Sequence, residues 1–209
     1  PNSGSAYVYE RDASGTWQRI VKLIATDGYP AAQFGYSVSI KGSRLVVGAN
    51  GANAKGNASG AAYVYDRSAS GKWTLFTKLV AKDGAAYDYF GVSVSISGDR
   101  VVVGANGDDD NGSYSGSVYV YERQANGTWI ETAKLVANDG AANDYFGYSV
   151  AISGDRMVVG AVGDHDKGSG SGSAYVYERQ ANGTWIETAK LVAKDGAPND
   201  FFGRSVAIS

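Results

Sequence analysis

The side chains best suited to chemistry in this chain are aspartates. Two glycine-flanked loops read Asn106-Gly107-Asp108-Asp109-Asp110-Asn111-Gly112 and Val162-Gly163-Asp164-His165-Asp166-Lys167-Gly168. Asp108 and Asp110 in the first, and Asp164 and Asp166 in the second, alternate within a polar, flexible stretch. Hard carboxylate oxygens at that spacing are the donors calcium prefers. The same residues also suit a solvated turn whose aspartates bond backbone groups. The corresponding loop Asn50-Gly51-Ala52-Asn53-Ala54-Lys55-Gly56 has alanine at both positions, so it lacks the donors. Calcium is the one cofactor candidate, and no motif requires a cofactor.

A second set of carboxylates pairs Asp83 with Asp88, Asp139 with Asp144 and Asp195 with Asp200, while the first copy keeps Asp27 and carries Ala32. Repetition favours a structural role, with side chains holding the backbone of a turn. Neither set comes with a nucleophile or base. His165 is the only histidine and cysteine is absent, which removes repeated Ser-His-Asp triads, thiol catalysis and cysteine-ligated zinc. The run Gly168 to Gly172 precedes a strand pattern, so its G-x-G spacing places no phosphate at a helix N-terminus. No catalytic residue is expected, and the chain is not read as an enzyme.

Aromatic residues are the other candidates for ligand contact. Trp17, Trp73, Trp129 and Trp185 recur at one interval, and such regular spacing argues for packing. Residues that break the repeat are better candidates: Tyr87 and Tyr114, and the variable position occupied by Tyr36, Val92, Tyr148 and Arg204. Sequons for N-glycosylation begin at Asn57, Asn111, Asn126 and Asn182, all in turn sequences.

What positions these residues is a repeat. Phe34-Gly35, Phe90-Gly91, Phe146-Gly147 and Phe202-Gly203 are spaced 56 residues apart, and the tryptophans share that register. A fixed period of this kind marks a unit that buries its apolar face only by stacking on its neighbours. Within a unit, Phe90 to Ile96 alternates bulky residues with Gly91, Ser93 and Ser95, a strand with one nearly flat face. Gly98-Asp99 makes a hairpin, and Arg100 to Ala105 is apolar without alternation, as in a strand covered on both faces. Val118 and Val120 alternate with Tyr119 and Tyr121, and Asn126-Gly127 turns the chain into a strand starting at Trp129. In that fourth strand Trp129, Ala133, Leu135 and Ala137 share a parity that Glu131 interrupts. Four short antiparallel strands repeated radially make a β-propeller blade, and the fold class is all-β.

The stretch Phe146-Gly147-Tyr148-Ser149-Val150-Ala151-Ile152, followed by Val158-Val159-Gly160-Ala161 and Gly172-Ser173-Ala174-Tyr175-Val176-Tyr177, resembles the FG-GAP repeat of integrin α-subunit propellers, and still more the bacterial FG-GAP-type repeats. The resemblance covers the whole chain. It implies a propeller, a secreted or cell-surface location, and a binding or adhesive role, with no particular ligand; a protein or glycan at the cell surface is the expected partner, and a carbohydrate-binding lectin is an alternative reading. In integrin-type propellers the calcium loop joins strands one and two; here that connection is only Ser97-Gly98-Asp99-Arg100.

On this reading the array spans 1–209: strands three and four of a partial blade over 1–33, whole blades over 34–89, 90–145 and 146–201, and a first strand over 202–209. The chain is thus offset from its own blade boundaries. A ring closing 202–209 onto the opening strands would lack a second strand and leave backbone groups unpaired. The expectation is either a window from a longer array or head-to-tail assembly of copies into a scaffold or filament. A net charge of −2 with both signs interspersed gives no basis for nucleic-acid binding, and no apolar run is long enough for a membrane helix.

Overall fold

The computed structural model describes residues 3–28 and 30–209, and in them the regular structure is strand and turn. Strands β1 (Ala6–Arg11) and β2 (Trp17–Leu23) form a two-stranded sheet. Three four-stranded sheets follow: β3 (Val38–Lys41), β4 (Arg44–Ala49), β5 (Ala61–Arg67) and β6 (Trp73–Leu79); β7 (Ser93–Ser97), β8 (Arg100–Ala105), β9 (Ser117–Arg123) and β10 (Trp129–Leu135); β11 (Phe146–Ser153), β12 (Arg156–Ala161), β13 (Ser173–Arg179) and β14 (Trp185–Leu191). Each strand pairs antiparallel with its sequence neighbour, the meander of a propeller blade.

Local chemistry explains the register. Ser97 opposes Arg100, leaving the two-residue turn Gly98-Asp99 with Gly98 at φ 59°, a left-handed conformation that glycine adopts without strain. The second strand is buried along both faces, as its unbroken apolar run predicts. The fourth strand departs from simple alternation. Its pairing with β9 shifts between Glu131 and Ala133, so a bulge moves Trp129 and Glu131 onto the Tyr121 side and Leu135 onto the Val118 side. Glu131 therefore does not interrupt an apolar face: its carboxylate accepts from Tyr121 Oη at 3.0 Å.

Each apolar cluster draws on consecutive blades. Val46, Ala62 and Val64 of one blade meet Phe90, Val94, Ile96, Val101 and Tyr121 of the next, and the equivalent set recurs one blade on. Phe90 is fully buried and stands edge-on to Tyr119 and Tyr121, at centroid distances of 5.4 and 6.0 Å. Close approach of backbones allows this. A Cβ on Gly104 would collide with the carbonyl of Gly147 and with Ser93 Oγ, which itself donates to that carbonyl at 2.7 Å. Ser37 and Ser149 make the same bond to Gly91 and Gly203.

Parallel bridges join Gly60 to Phe90, Gly116 to Phe146 and Gly172 to Phe202, tying the loop before a third strand to the entry of the next blade. The loops between second and third strands thus share one end of the sheets with the connections between blades. Phe202 is held by Ser171 and Gly172, and 203–209 carry no strand pairing.

Gly104→Ala is expected to destabilise the protein by about 2 kcal/mol, the usual scale for forcing a methyl into a packed interior. Urea denaturation measures it, and wild-type stability in the variant would show that the two backbones part freely.

Candidate functional site

The aspartates of the loops converge with those of the connections. Asp108 and Asp110 follow β8, Asp83 precedes the next blade entry, and their carboxylate oxygens lie within 4.8 Å of one another; Asp139, Asp164 and Asp166 form the same group one blade on. Such oxygen-rich groups have the donor chemistry to bind a metal ion. At the centre of each is an ammonium group from the fourth strand. Lys134 Nζ lies 2.8 Å from Asp83, 3.0 Å from Asp108 and 2.7 Å from Asp110. Lys190 Nζ lies 2.7, 2.8 and 2.7 Å from Asp139, Asp164 and Asp166. A tyrosine ring forms the floor: each Nζ is 5.3 Å from the centroid of Tyr119 or Tyr175. Tyr119 Oη lies 2.9 Å from both Asp83 and Asp108, and Ser117 Oγ donates to Asp108 at 2.9 Å.

Charge follows this geometry. Burial by itself would lower the Lys134 ammonium, but its bonds to Asp110, Asp83 and Asp108 outweigh burial and hold it well above the usual lysine range. Burial would raise Asp83 and Asp164; the bonds from Lys134 and Lys190 reverse that and keep both below the ordinary carboxylate value. Tyr119 and Tyr175 are pushed up, first by burial and then by the neighbouring aspartates. In the first whole blade, where Ala52 and Ala54 replace the loop aspartates, Lys78 keeps Asp27 at 2.6 Å above the Tyr63 ring, and Tyr63 Oη donates to Asp27 at 2.8 Å.

Asp88 and Asp144 are the buried companions. Asp88 accepts the Ala85 amide at 2.6 Å and Asp144 accepts that of Ala141 at 2.8 Å, which fits the expected turn-holding role. Asp200 does the same with Ala197 at 2.7 Å. Burial, with the Asp108 charge adding to it, pushes Asp88 up to about 6. Burial also raises Asp144, opposed by His165, whose Nδ1 stands 3.5 Å away. His165 and Asp144, together with Lys190 and its three aspartates, line a polar cavity of about 490 Å³.

The aromatic candidates fall into separate places. Tyr87 meets Tyr89 at a centroid distance of 6.4 Å, and Tyr114 meets Tyr145 at 5.7 Å. Tyr36, Tyr148 and Arg204 sit two residues past each blade's phenylalanine, in a turn whose amide donates to Gln33, Tyr145 or Phe201. Tyr36 and Arg204 are exposed, Tyr148 is half-buried and Val92 is buried. Trp73 and Trp185 are buried, Trp129 packs under the Arg44 guanidinium at 5.3 Å, and Trp17 is 66% exposed. Sequence reading passed over Lys134 and Lys190. Their signal was the series Lys22, Lys78, Lys134 and Lys190 at the repeat interval, which in an alternating strand looks like a solvent-facing row.

Antiparallel four-stranded blades in series, joined through an invariant Phe-Gly contact, define an all-β propeller repeat protein. The chain belongs to the FG-GAP repeat family, whose model matches residues 17–65, 73–121, 129–177 and 185–209. Integrin alpha-6 of Gallus gallus is 33% identical over 130 residues, covering 58% of this chain and 12% of that protein. A crystal structure of a protein from Lactobacillus plantarum matches the fold with a TM-score of 0.60, over 95% of this chain and 54% of that one, at 16% identity.

Two outcomes test the site. Asp88→Asn is expected to raise the melting temperature at pH 7.5, with the difference fading by about pH 4. A carboxyl raised in the folded state favours folding while protonated, and that contribution is lost as pH rises through about 6. Thermal melts of both proteins across pH measure this, and a constant difference would assign the effect elsewhere. Second, millimolar calcium should leave the wild-type melting temperature unchanged and raise that of Lys134→Met, because the ion must otherwise displace a bound ammonium. A calcium-dependent rise in the wild type would show that it does.

Proposed function

We propose that this chain is a non-catalytic binding or adhesion module of a secreted or cell-surface protein. One observation carries the reading: the packing core repeats from blade to blade, while between the second and third whole blades most differences fall in the loops after β8 and β12 and in the connections beside them. A rigid repeated scaffold with one variable loop-bearing end is how recognition surfaces are built. Membership in the FG-GAP family and the likeness to an integrin α-subunit support a protein ligand at a cell surface. The acidic groups at that end add fixed charge, and each holds its own cation in Lys134 or Lys190. Calcium is not required on this reading; where it contributes, it does so at Asp108 and Asp110 or Asp164 and Asp166, in competition with the lysines.

A second reading is head-to-tail association of copies. It is favoured by Tyr7, Tyr9 and Trp17, which are 47%, 53% and 66% exposed although their counterparts Tyr63, Tyr65 and Trp73 are buried. Val38 and Ile40 are likewise open where Val94 and Ile96 are covered.

The immobilised chain is expected to capture at least one member of a panel of extracellular-matrix proteins. Replacing loop 106–112 with the sequence of 50–56, which the first whole blade already accommodates, should weaken that capture with little change in melting temperature. Capture of none, or capture indifferent to the exchange, argues against the first reading. Light scattering on a sizing column addresses the second, which fails if the mass stays monomeric at all concentrations.

A further inference from the structure

Tyr87 and Tyr114 occupy backbone positions that do not call for tyrosine. Tyr114 has φ 56°, at the position held by Ala58 at 51° and Gly170 at 65°. Tyr87 has φ 72°, at the position of Ala31, Asn143 and Asn199, whose φ values are 73°, 68° and 65°. The fold requires a left-handed residue at each place, and alanine, glycine or asparagine meets that requirement in the other blades. Tyr89, Tyr145 and Phe201 share this conformation, with φ of 56°, 55° and 54°, so what sets Tyr87 and Tyr114 apart is that the other blades fill their two positions with small or amide residues.

What the two rings add is a second aromatic beside one that belongs to the repeat. Tyr89 and Tyr145 belong to the repeat, at the position also held by Gln33 and Phe201. Tyr87 packs on Tyr89 and Tyr114 packs on Tyr145. Each of two successive blade junctions on the loop-bearing end thus carries a pair of rings. Tyr87 is 48% exposed and its hydroxyl is oriented by Asn57 Nδ2 at 2.8 Å; the other three are half-buried.

We propose that Tyr87, Tyr89, Tyr114 and Tyr145 form a stacking platform for an unbranched neutral saccharide. Rigid aromatic faces with polar edges suit the alternating C–H and hydroxyl surface of a sugar chain. Exposed Asp109, whose Oδ1 also accepts the Tyr114 amide at 2.7 Å, and exposed Asn143 flank the rings as hydrogen-bonding groups. The carboxylates of Asp109 and Asp110 disfavour anionic ligands. An extended peptide finds no strand edge here, because the amides of Tyr87, Tyr89, Asn143 and Tyr145 already donate to Asn57, Ala58, Ser113 and Tyr114. This inference rests on the reading of the chain as a binding module and names the ligand class of one part of its surface.

The test is titration calorimetry of the chain with cellohexaose, chitohexaose, laminarihexaose and mannohexaose, set beside a polyproline peptide. At least one saccharide should bind. The double variant Tyr87→Ala, Tyr114→Gly should bind it at least about tenfold more weakly, the scale of losing stacked rings. Both replacements are residues the repeat itself uses at those positions, so the melting temperature should hold or rise. Failure of every saccharide to bind at millimolar concentration, undiminished binding by the double variant, or binding of the peptide alone would overturn the proposal. If matrix-protein capture survives while saccharides fail, this inference falls and the binding-module reading stands.

Discussion

At each blade junction a second-strand glycine passes against the carbonyl of the next blade's Phe-Gly pair. Gly48 meets Gly91, Gly104 meets Gly147 and Gly160 meets Gly203, and no side chain fits between them. This backbone contact sets how near the sheets approach. With the sheets that close, Phe90 and Phe146 reach their tyrosine pairs, and serine hydroxyls bridge to the same carbonyls. The apolar clusters on either side then fill from two blades at once, as a repeat that cannot bury its core alone requires. Loop positions beyond the junction inherit its rigidity, because the loop before each third strand is bridged to the next phenylalanine.

The aspartate groups show how such a scaffold handles concentrated negative charge. Three carboxylates within 4.8 Å repel one another unless a cation joins them. Here the cation is covalently attached: the fourth strand brings a lysine over a tyrosine ring into the middle of the group. The internal ammonium is present at every salt and metal concentration, so the loop is ordered by the protein's own charge. The blade with Ala52 and Ala54 keeps Lys78, Asp27 and the Tyr63 ring, a reduced form of the same arrangement.

Much of the fold was legible in the residues. Gly98-Asp99 announced its hairpin, the run Arg100 to Ala105 announced a strand covered on both sides, and Phe90, Phe146 and Trp73 declared themselves as packing by their spacing. The fourth strand was misleading because alternation assumes one residue per step. The bulge after Glu131 inserts an extra residue, so Trp129 and Leu135 face opposite neighbours although they share a parity. Of the acidic site, Asp108, Asp110, Asp164 and Asp166 were visible as a local pattern. Asp83 and Asp139 pair in sequence with Asp88 and Asp144, and nothing local marks Lys134 and Lys190, since their partners lie in other segments of the chain.

The amino-acid sequence by itself determined the repeat, its strands and the all-β class, because periodicity and turn chemistry act between residues a few positions apart. It also determined which loops carry carboxylates and which aromatics depart from the repeat. Only the tertiary structure decided what those groups meet. Lys134 reaches Asp83 across 51 positions, and Tyr114 meets Tyr145 only because the loop before a third strand is bridged to the entry of the next blade. Contacts of that kind depend on the distance between sheets, which the glycine-to-carbonyl approach at each junction sets and which no local pattern encodes.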